Sequence, residues 1–273
     1  MPWWSFTKTV LAAATVVLVR DGCLELDTTL GGRPYTLRQL LQHRAGLADY
    51  GSVPAYHQAV ARHEDAWPAG ELLKRSKSDQ LLHVPGERFA YSNIGYLFVR
   101  QLIEETTDEE LGAVLARLVL QPLGIGGARL ATRKSDLNGV LMGRTHDYDP
   151  RWVYHGLLVG PLRDAALLLD RLMAGDLLPP DLKVAMLERQ PVDGGPIAGR
   201  PWVSPGYALG LMSGSIAGGM SITGHTGGGP GSSIAVYRSS SRTAAAFSTD
   251  DDPGPVEHRC VLLLGTSAAK NET

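Results

Sequence analysis

Pro85-Gly86-Glu87-Arg88-Phe89-Ala90-Tyr91-Ser92-Asn93-Ile94-Gly95-Tyr96 joins a turn, a chemically useful triplet and a helix start. Pro85-Gly86 marks the turn. Ser92 or Asn93 is placed to cap the helix that follows, in which Tyr96, Leu97, Val99 and Ile103 form an apolar stripe. Tyr91 offers a phenol and Asn93 an amide at the mouth of that helix. Alone, they read more simply as a half-buried core tyrosine and a helix cap. Two distant segments change that balance.

The first is Ser5-Phe6-Thr7-Lys8, at the head of an expected helix from about Ser5 to Arg20 that Asp21-Gly22 ends. Residues i and i+3 share a helix face, so Ser5 and Lys8 point the same way. A serine hydroxyl needs a partner to take its proton. A lysine in an apolar pocket is neutral part of the time, or supplies the charge that makes another base work. A tyrosinate at Tyr91, near the Lys8 ammonium, would accept the serine proton and pass it to the leaving group. Asn93 would hydrogen-bond Lys8 and a substrate amide together. The helix start also favours developing negative charge on Ser5.

The second is Gly224-His225-Thr226-Gly227-Gly228-Gly229-Pro230-Gly231. As a phosphate cradle it is poor, because the Walker lysine and the Rossmann spacing are both missing. As an edge strand it fits better, since glycines allow a substrate backbone to approach and pair. His225, Thr226, Gly227 and Gly228 are the candidate substrate-binding residues. The Gly228 and Ser5 N–H groups would form an oxyanion hole, and His225 would add a donor near the acyl group.

The rest of the chain sets limits. Its 273 residues allow one large domain or two small ones, and 44% hydrophobic content allows a sizeable core. The expectation is one domain over residues 1–273, mainly helical over about 36–180, with a sheet and final helix over 200–265. A net charge of −2 with both signs interspersed argues against nucleic-acid or polybasic membrane partners. The apolar run Val10–Val19 is too short to span a membrane. It reads either as the core of a signal peptide with a poor cleavage context or as a helix buried at the centre of the fold. Cys23 and Cys260 have no metal-ligand spacing; free thiols are expected, with a single bridge as the alternative. Helices are expected at Leu37–His43, within Gly51–Val84, at Leu111–Leu120 and at Pro161–Met173. Short antiparallel strands are expected at Tyr207–Met212, Gly219–His225, Ser232–Tyr237 and Thr243–Ser248, with a helix at about Pro255–Leu264. The layout is α+β.

In this order the motifs resemble the class C β-lactamase-like serine hydrolases, a superfamily of β-lactamases, penicillin-binding DD-peptidases, D-aminopeptidases and esterases. Leu37–His43 with Ala45-Gly46-Leu47, the block Pro85–Tyr96, Gln121-Pro122-Leu123-Gly124 and Gly206-Tyr207-Ala208-Leu209-Gly210 extend the likeness to about Trp4–Leu264. The resemblance implies an antiparallel sheet flanked by helices, with the site in the cleft against a helical region and no metal or cofactor. It implies Ser5 as nucleophile, Lys8 as its activating partner, Tyr91 as general base and Asn93 as a substrate-orienting residue. Two departures stand out. Only four residues precede Ser5, so the sheet is expected to lack the usual N-terminal strands and expose an edge, which makes a homodimer conceivable. His225 replaces the lysine of the lactamases and removes a permanent charge, which tilts the reading toward a less acidic substrate. The expected activity is hydrolysis of a small ester, amide or peptide through an acyl-enzyme on Ser5, in the cytoplasm. The alternative is a degenerate member that binds peptide or cell-wall fragments.

Overall fold

The structure is a computed structural model that describes residues 1–143 and 147–265. Its axis is helix α1 (Thr7–Arg20), every residue of which is buried from Thr7 to Leu18. The run Val10–Val19 is apolar on nearly all sides because protein surrounds it as far as Leu18, with Val19 partly buried. A short 3₁₀ turn, Trp4–Phe6, leads into α1. At the other end Gly22 has φ +73°, its N–H reaches the Val19 carbonyl and the Cys23 N–H reaches Leu18. This is a Schellman stop, which the left-handed glycine makes possible.

Helix α2 (Leu37–Leu41) opens with a capping box. Thr36 Oγ1 accepts from the Gln39 N–H and Gln39 Oε1 accepts from the Thr36 N–H. Helices α3 (Pro54–Ala61) and α4 (Ala69–Arg75) occupy the Gly51–Val84 segment. In α5 (Asn93–Thr107) Ser92 is the cap, accepting from the Gly95 N–H at 3.1 Å. Its buried stripe of Ile94, Tyr96, Leu97, Val99 and Ile103 packs on α1 and α2. Helix α6 (Leu111–Leu115) runs on into a wider π-type turn, Ala116–Leu120. Strands β1 (Arg129–Ala131) and β2 (Leu157–Val159) form a small antiparallel pair in the helical region, followed by α7 (Leu162–Ala174) and α8 (Pro180–Leu187).

The main sheet is an antiparallel meander in sequence order: β3 (Gln190–Pro191), β4 (Trp202–Tyr207), β5 (Met212–Ile216), β6 (Ser221–Gly229), β7 (Ser232–Ser239) and β8 (Arg242–Ser248). Helix α9 (Pro253–Gly265) covers one face. Strand β7 shows how the two cores divide. Ile234 and Val236 join the main core around α1, while Ala235 and Tyr237 join a second cluster with Val256 and Cys260 of α9. The period-2 alternation assigns each side chain to one face, and both faces are covered. Cys23 is exposed, Cys260 is buried, and both are free thiols. Among the described residues no helix is long and apolar enough to cross a membrane.

One expected strand is not a strand. Tyr207–Met212 supplies the end of β4, a tight turn and the start of β5. Gly210 sits in that turn with φ +68°, and a Cβ there would lie 2.4 Å from Ala12 Cβ and 2.8 Å from the Lys8 carbonyl. The turn presses onto α1, where Thr9 Oγ1 donates to the Gly210 carbonyl at 2.7 Å. The left-handed conformation at Gly210 breaks the extended run and reverses the chain. Strand β6 in turn runs beyond the expected His225, through the glycines to Gly229.

Leu11 is fully buried at the centre of α1. Replacing it with alanine is expected to lower unfolding free energy by about 2–5 kcal/mol. Urea denaturation followed by circular dichroism checks this, and a loss below about 0.5 kcal/mol would contradict the central place of α1.

Candidate active site

Ser5 is placed by a strained turn. Trp4 has φ +41°, a backbone region that a bulky residue seldom adopts. Neighbours hold it there: the indole N–H donates to Ser232 Oγ at 3.0 Å and the ring packs edge-on against Tyr148. The Trp3 N–H donates to the Leu158 carbonyl of β2 at 2.8 Å, so the segment that carries Ser5 lies alongside that strand. Such strain is characteristic of functional turns and persists only where packing overdetermines it.

Two side chains meet at Ser5 Oγ. Lys8 Nζ and Tyr91 OH each donate to it at 3.0 Å. Lys8 is completely buried on the first turns of α1 and also donates to Asn93 Oδ1 at 2.7 Å. Its third neighbour is His155 Nε2 at 3.3 Å. Burial pushes the ammonium down to about 7, against the weaker upward pull of the Asp49 carboxylate. Burial also pushes the Tyr91 phenol well above the usual range, against the hydrogen bond to Ser5, so Tyr91 is protonated in the resting site. Asn93 is fixed from behind: its N–H donates to Asp49 Oδ1 at 2.8 Å and its Nδ2 to Asp49 Oδ2 at 3.2 Å. That contact makes Oδ1 the atom that faces Lys8.

The C-terminal half of β6 borders the same cavity. Strand β5 pairs with β6 only through Ser221–Gly224, so among the described residues His225–Gly229 pair with β7 on one side and with no strand on the other. Gly227 and Gly229 are glycines for steric reasons. A Cβ on Gly227 would lie 2.7 Å from Ser5 N and Trp3 O, and one on Gly229 would lie 2.5 Å from the Trp4 ring. Gly228 meets nothing nearer than the Asp251 carbonyl at 3.8 Å and lines the cavity beside Ser5. Thr226 turns its hydroxyl to Tyr237 and the buried Glu257.

The donor role expected of His225 needs correction. Its Nδ1 faces the Thr226 carbonyl at 2.6 Å and its Nε2 faces Tyr207 OH at 2.8 Å. A carbonyl only accepts, so the proton is on Nδ1 and Nε2 accepts from the tyrosine. The ring borders the cavity, yet its N–H is already used. Burial, reinforced by the charge of Lys8, holds it down to about 3, so it carries no charge near neutrality.

The cavity measures about 470 Å³ and is walled largely by rings, including Trp4, Tyr50, Tyr56, Phe89, Tyr148 and Trp202. Arg200 also borders it, but its guanidinium is tied to Glu257, with Nη2 2.5 Å from Oε1. Trp202 Nε1 donates to the same carboxylate at 3.3 Å. The cation therefore arrives already neutralised by a fully buried partner.

The structure thus brings Ser5, Lys8, Tyr91 and Asn93 into direct contact and sets His225, Thr226, Gly227 and Gly228 along one wall. Sequence reasoning missed Asp49, His155, Tyr207, Arg200 and Glu257. Asp49 and His155 lie in loops outside any recognisable spacing. Tyr207 stands in a segment read as strand and as part of the family likeness, with no place in the site assigned to it.

This fold and this arrangement define a β-lactamase/transpeptidase-type protein. The chain belongs to the Beta-lactamase family, whose model matches residues 1–264. It is 32% identical over 101 residues to a D-aminopeptidase of Cereibacter sphaeroides, a match covering 36% of this chain and only 19% of that protein's length. Among solved structures it resembles a D-stereospecific amidohydrolase from Streptomyces sp., with TM-score 0.80, 23% identity, and coverage of 98% and 87% of the two chains. It also resembles a D-amino acid amidase from Ochrobactrum anthropi SV3, with TM-score 0.76, 22% identity, and coverage of 90% and 77%.

Adding one methyl group at adjacent glycines should separate close approach from open cavity. Gly227→Ala is expected to cost about 1–3 kcal/mol by driving β6 off the Trp3–Ser5 backbone. Gly228→Ala should stay within about 0.5 kcal/mol of the parent. Thermal melting of both variants checks this; equal melting temperatures would contradict the packing described.

Proposed function

We propose that the protein is a serine hydrolase of the amidase or peptidase type, forming an acyl-enzyme on Ser5. The observation that carries this reading is the convergence of Lys8 Nζ and Tyr91 OH on Ser5 Oγ at 3.0 Å each, beside a cavity large enough for a small substrate. In this reading Ser5 attacks the substrate carbonyl and its proton passes to the neutral Lys8 amine. The proton assignment departs from the expected one because burial acts oppositely on the two groups. It frees the lysine lone pair near neutrality and keeps the phenol protonated. Tyr91 is then the donor poised for the leaving group, and the Lys8 ammonium restores its proton. The Ser5 and Gly228 N–H groups hold the oxyanion, and the open edge of β6 takes the substrate backbone. Water attacks the acyl-enzyme by the same steps in reverse and releases the acid.

The substrate proposed is a neutral amide, ester or short peptide with an apolar acyl group. The ring-lined cavity favours it, His225 is uncharged and Arg200 is occupied by Glu257. The D-aminopeptidase and D-amino acid amidase relatives make amides of D-amino acids the first compounds to try. The complete contact set at Ser5 favours turnover over the expected alternative of binding alone.

Incubation with p-nitrophenyl acetate, D- and L-phenylalanine amides and a small set of β-lactams should give a mass increase that maps to Ser5. Ser5→Ala should lose the adduct and lower turnover by on the order of a thousandfold or more. Full activity in that variant would end the proposal.

The pH dependence follows from the lysine. The neutral amine is the working form, so kcat/KM should rise with pH through an apparent pKa near 7 and fall away on the acid side. The Tyr91 phenol is the working form on the alkaline side, and its raised pKa puts that loss beyond the usual phenol range. A pH–rate profile with a neutral ester measures both limbs. A profile flat between about pH 5 and 9 would rule out Lys8 as the proton acceptor.

A further inference from the structure

His155 precedes β2, is only 2% exposed and borders the cavity. Its Nε2 lies 3.3 Å from Lys8 Nζ, while its Nδ1 is buried without a hydrogen-bond partner. An unpaired buried polar nitrogen and a desolvated imidazole are both unfavourable, by about 1–3 kcal/mol for the unpaired group alone. That cost falls where Lys8 meets its third neighbour, and such groups call for an explanation.

A neutral lysine amine has two hydrogens and one lone pair, and Lys8 has three neighbours. Asn93 Oδ1 only accepts, because the amide nitrogen is turned to Asp49. One hydrogen therefore goes to Asn93. The remaining hydrogen and the lone pair are divided between His155 and Ser5. If His155 Nε2 accepts, the lone pair is left facing the Ser5 hydroxyl. If His155 carries its proton on Nε2, it occupies that lone pair and Lys8 cannot take the serine proton.

We propose that His155 is a positioning residue that, as the neutral tautomer protonated on Nδ1, accepts from Lys8 at Nε2 and so directs the lysine lone pair at Ser5. The inference rests on the reading of Lys8 as proton acceptor. Once Lys8 gains the serine proton, its three hydrogens meet three acceptors: Ser5 Oγ, Asn93 Oδ1 and His155 Nε2. The imidazole must remain neutral to accept. Burial holds it well below its ordinary pKa, and positive charge on Lys8 or Arg100 pushes the same way. The titratable groups facing the pair are Asp49 behind Asn93, Tyr91 and Tyr96 of the α5 region, His43 after α2, His225 on β6 and Arg100 on α5. Asp49 favours the Lys8 ammonium. Arg100 is paired with Glu104 at 3.1 Å, and it also donates to the Tyr154 carbonyl.

Three proteins test the proposal: His155→Leu, His155→Gln and Ser5→Ala. The leucine variant removes the acceptor. It should lower kcat by roughly ten- to a hundredfold with KM little changed, the range expected for one charge-assisted hydrogen bond. The lost acceptor favoured the ammonium, so the Lys8 pKa drops and the acid limb of kcat/KM should move to lower pH by about one unit. The glutamine variant offers a carbonyl acceptor and should recover most of both changes. A parent-like rate and profile for the leucine variant, or a glutamine variant as impaired as leucine, would overturn the proposal. The second readout needs no turnover. In the Ser5→Ala protein, ¹⁵N spectra of the His155 ring should show a protonated Nδ1 and an unprotonated Nε2 on both sides of neutral pH. A protonated Nε2 overturns the proposal whatever the activity. Should no substrate be turned over, or the leucine variant not fold, that spectrum decides alone.

Discussion

A lysine amine sealed inside the protein and still fully partnered is the constraint around which the rest is arranged. An ammonium at this depth is costly, and burial alone brings its pKa close to neutrality. What keeps the group useful is the identity of its neighbours: a serine oxygen, an amide oxygen and an imidazole nitrogen, each supplied by a different part of the chain. Two of the three are aimed by something behind them. Asp49 orients the amide, and the strained Trp4 turn presents the serine.

The fold makes that pocket possible by placing α1 where every side is covered. The Gly210 turn presses against it, α5 lies along it and β2 carries the segment before it. On the far wall, glycines let β6 reach the Trp3–Ser5 backbone at distances no side chain would permit. Behind that strand, Glu257 gathers Arg200, Thr226, Tyr237 and Trp202 into one buried cluster that links α9 to the cavity wall. The cluster also neutralises Arg200, so a cation at the cavity wall does not amount to an anion-binding site.

Much of the architecture was legible because local rules and global fold agree. Thr36 caps α2 and Ser92 caps α5 by hydrogen bonds that span three residues, and Gly22 stops α1 in the adjoining turn. Ser5 and Lys8 meet because one helical turn brings them together. Tyr207–Met212 misled because a short, mostly apolar run reads the same in a strand as in two strand ends around a tight turn. Only the packing of Gly210 on α1 distinguishes them. His225 misled for a related reason: its position on the wall followed from the motif, but Tyr207 and the Thr226 carbonyl claim its nitrogens.

The sequence by itself determined which side chains were candidates for the site and where most helices start and stop, since those depend on contacts within a few residues. The tertiary structure alone decided the protonation of those groups and the company they keep. Desolvation and long-range partners such as Asp49 and His155 act through space, and no spacing along the chain records them.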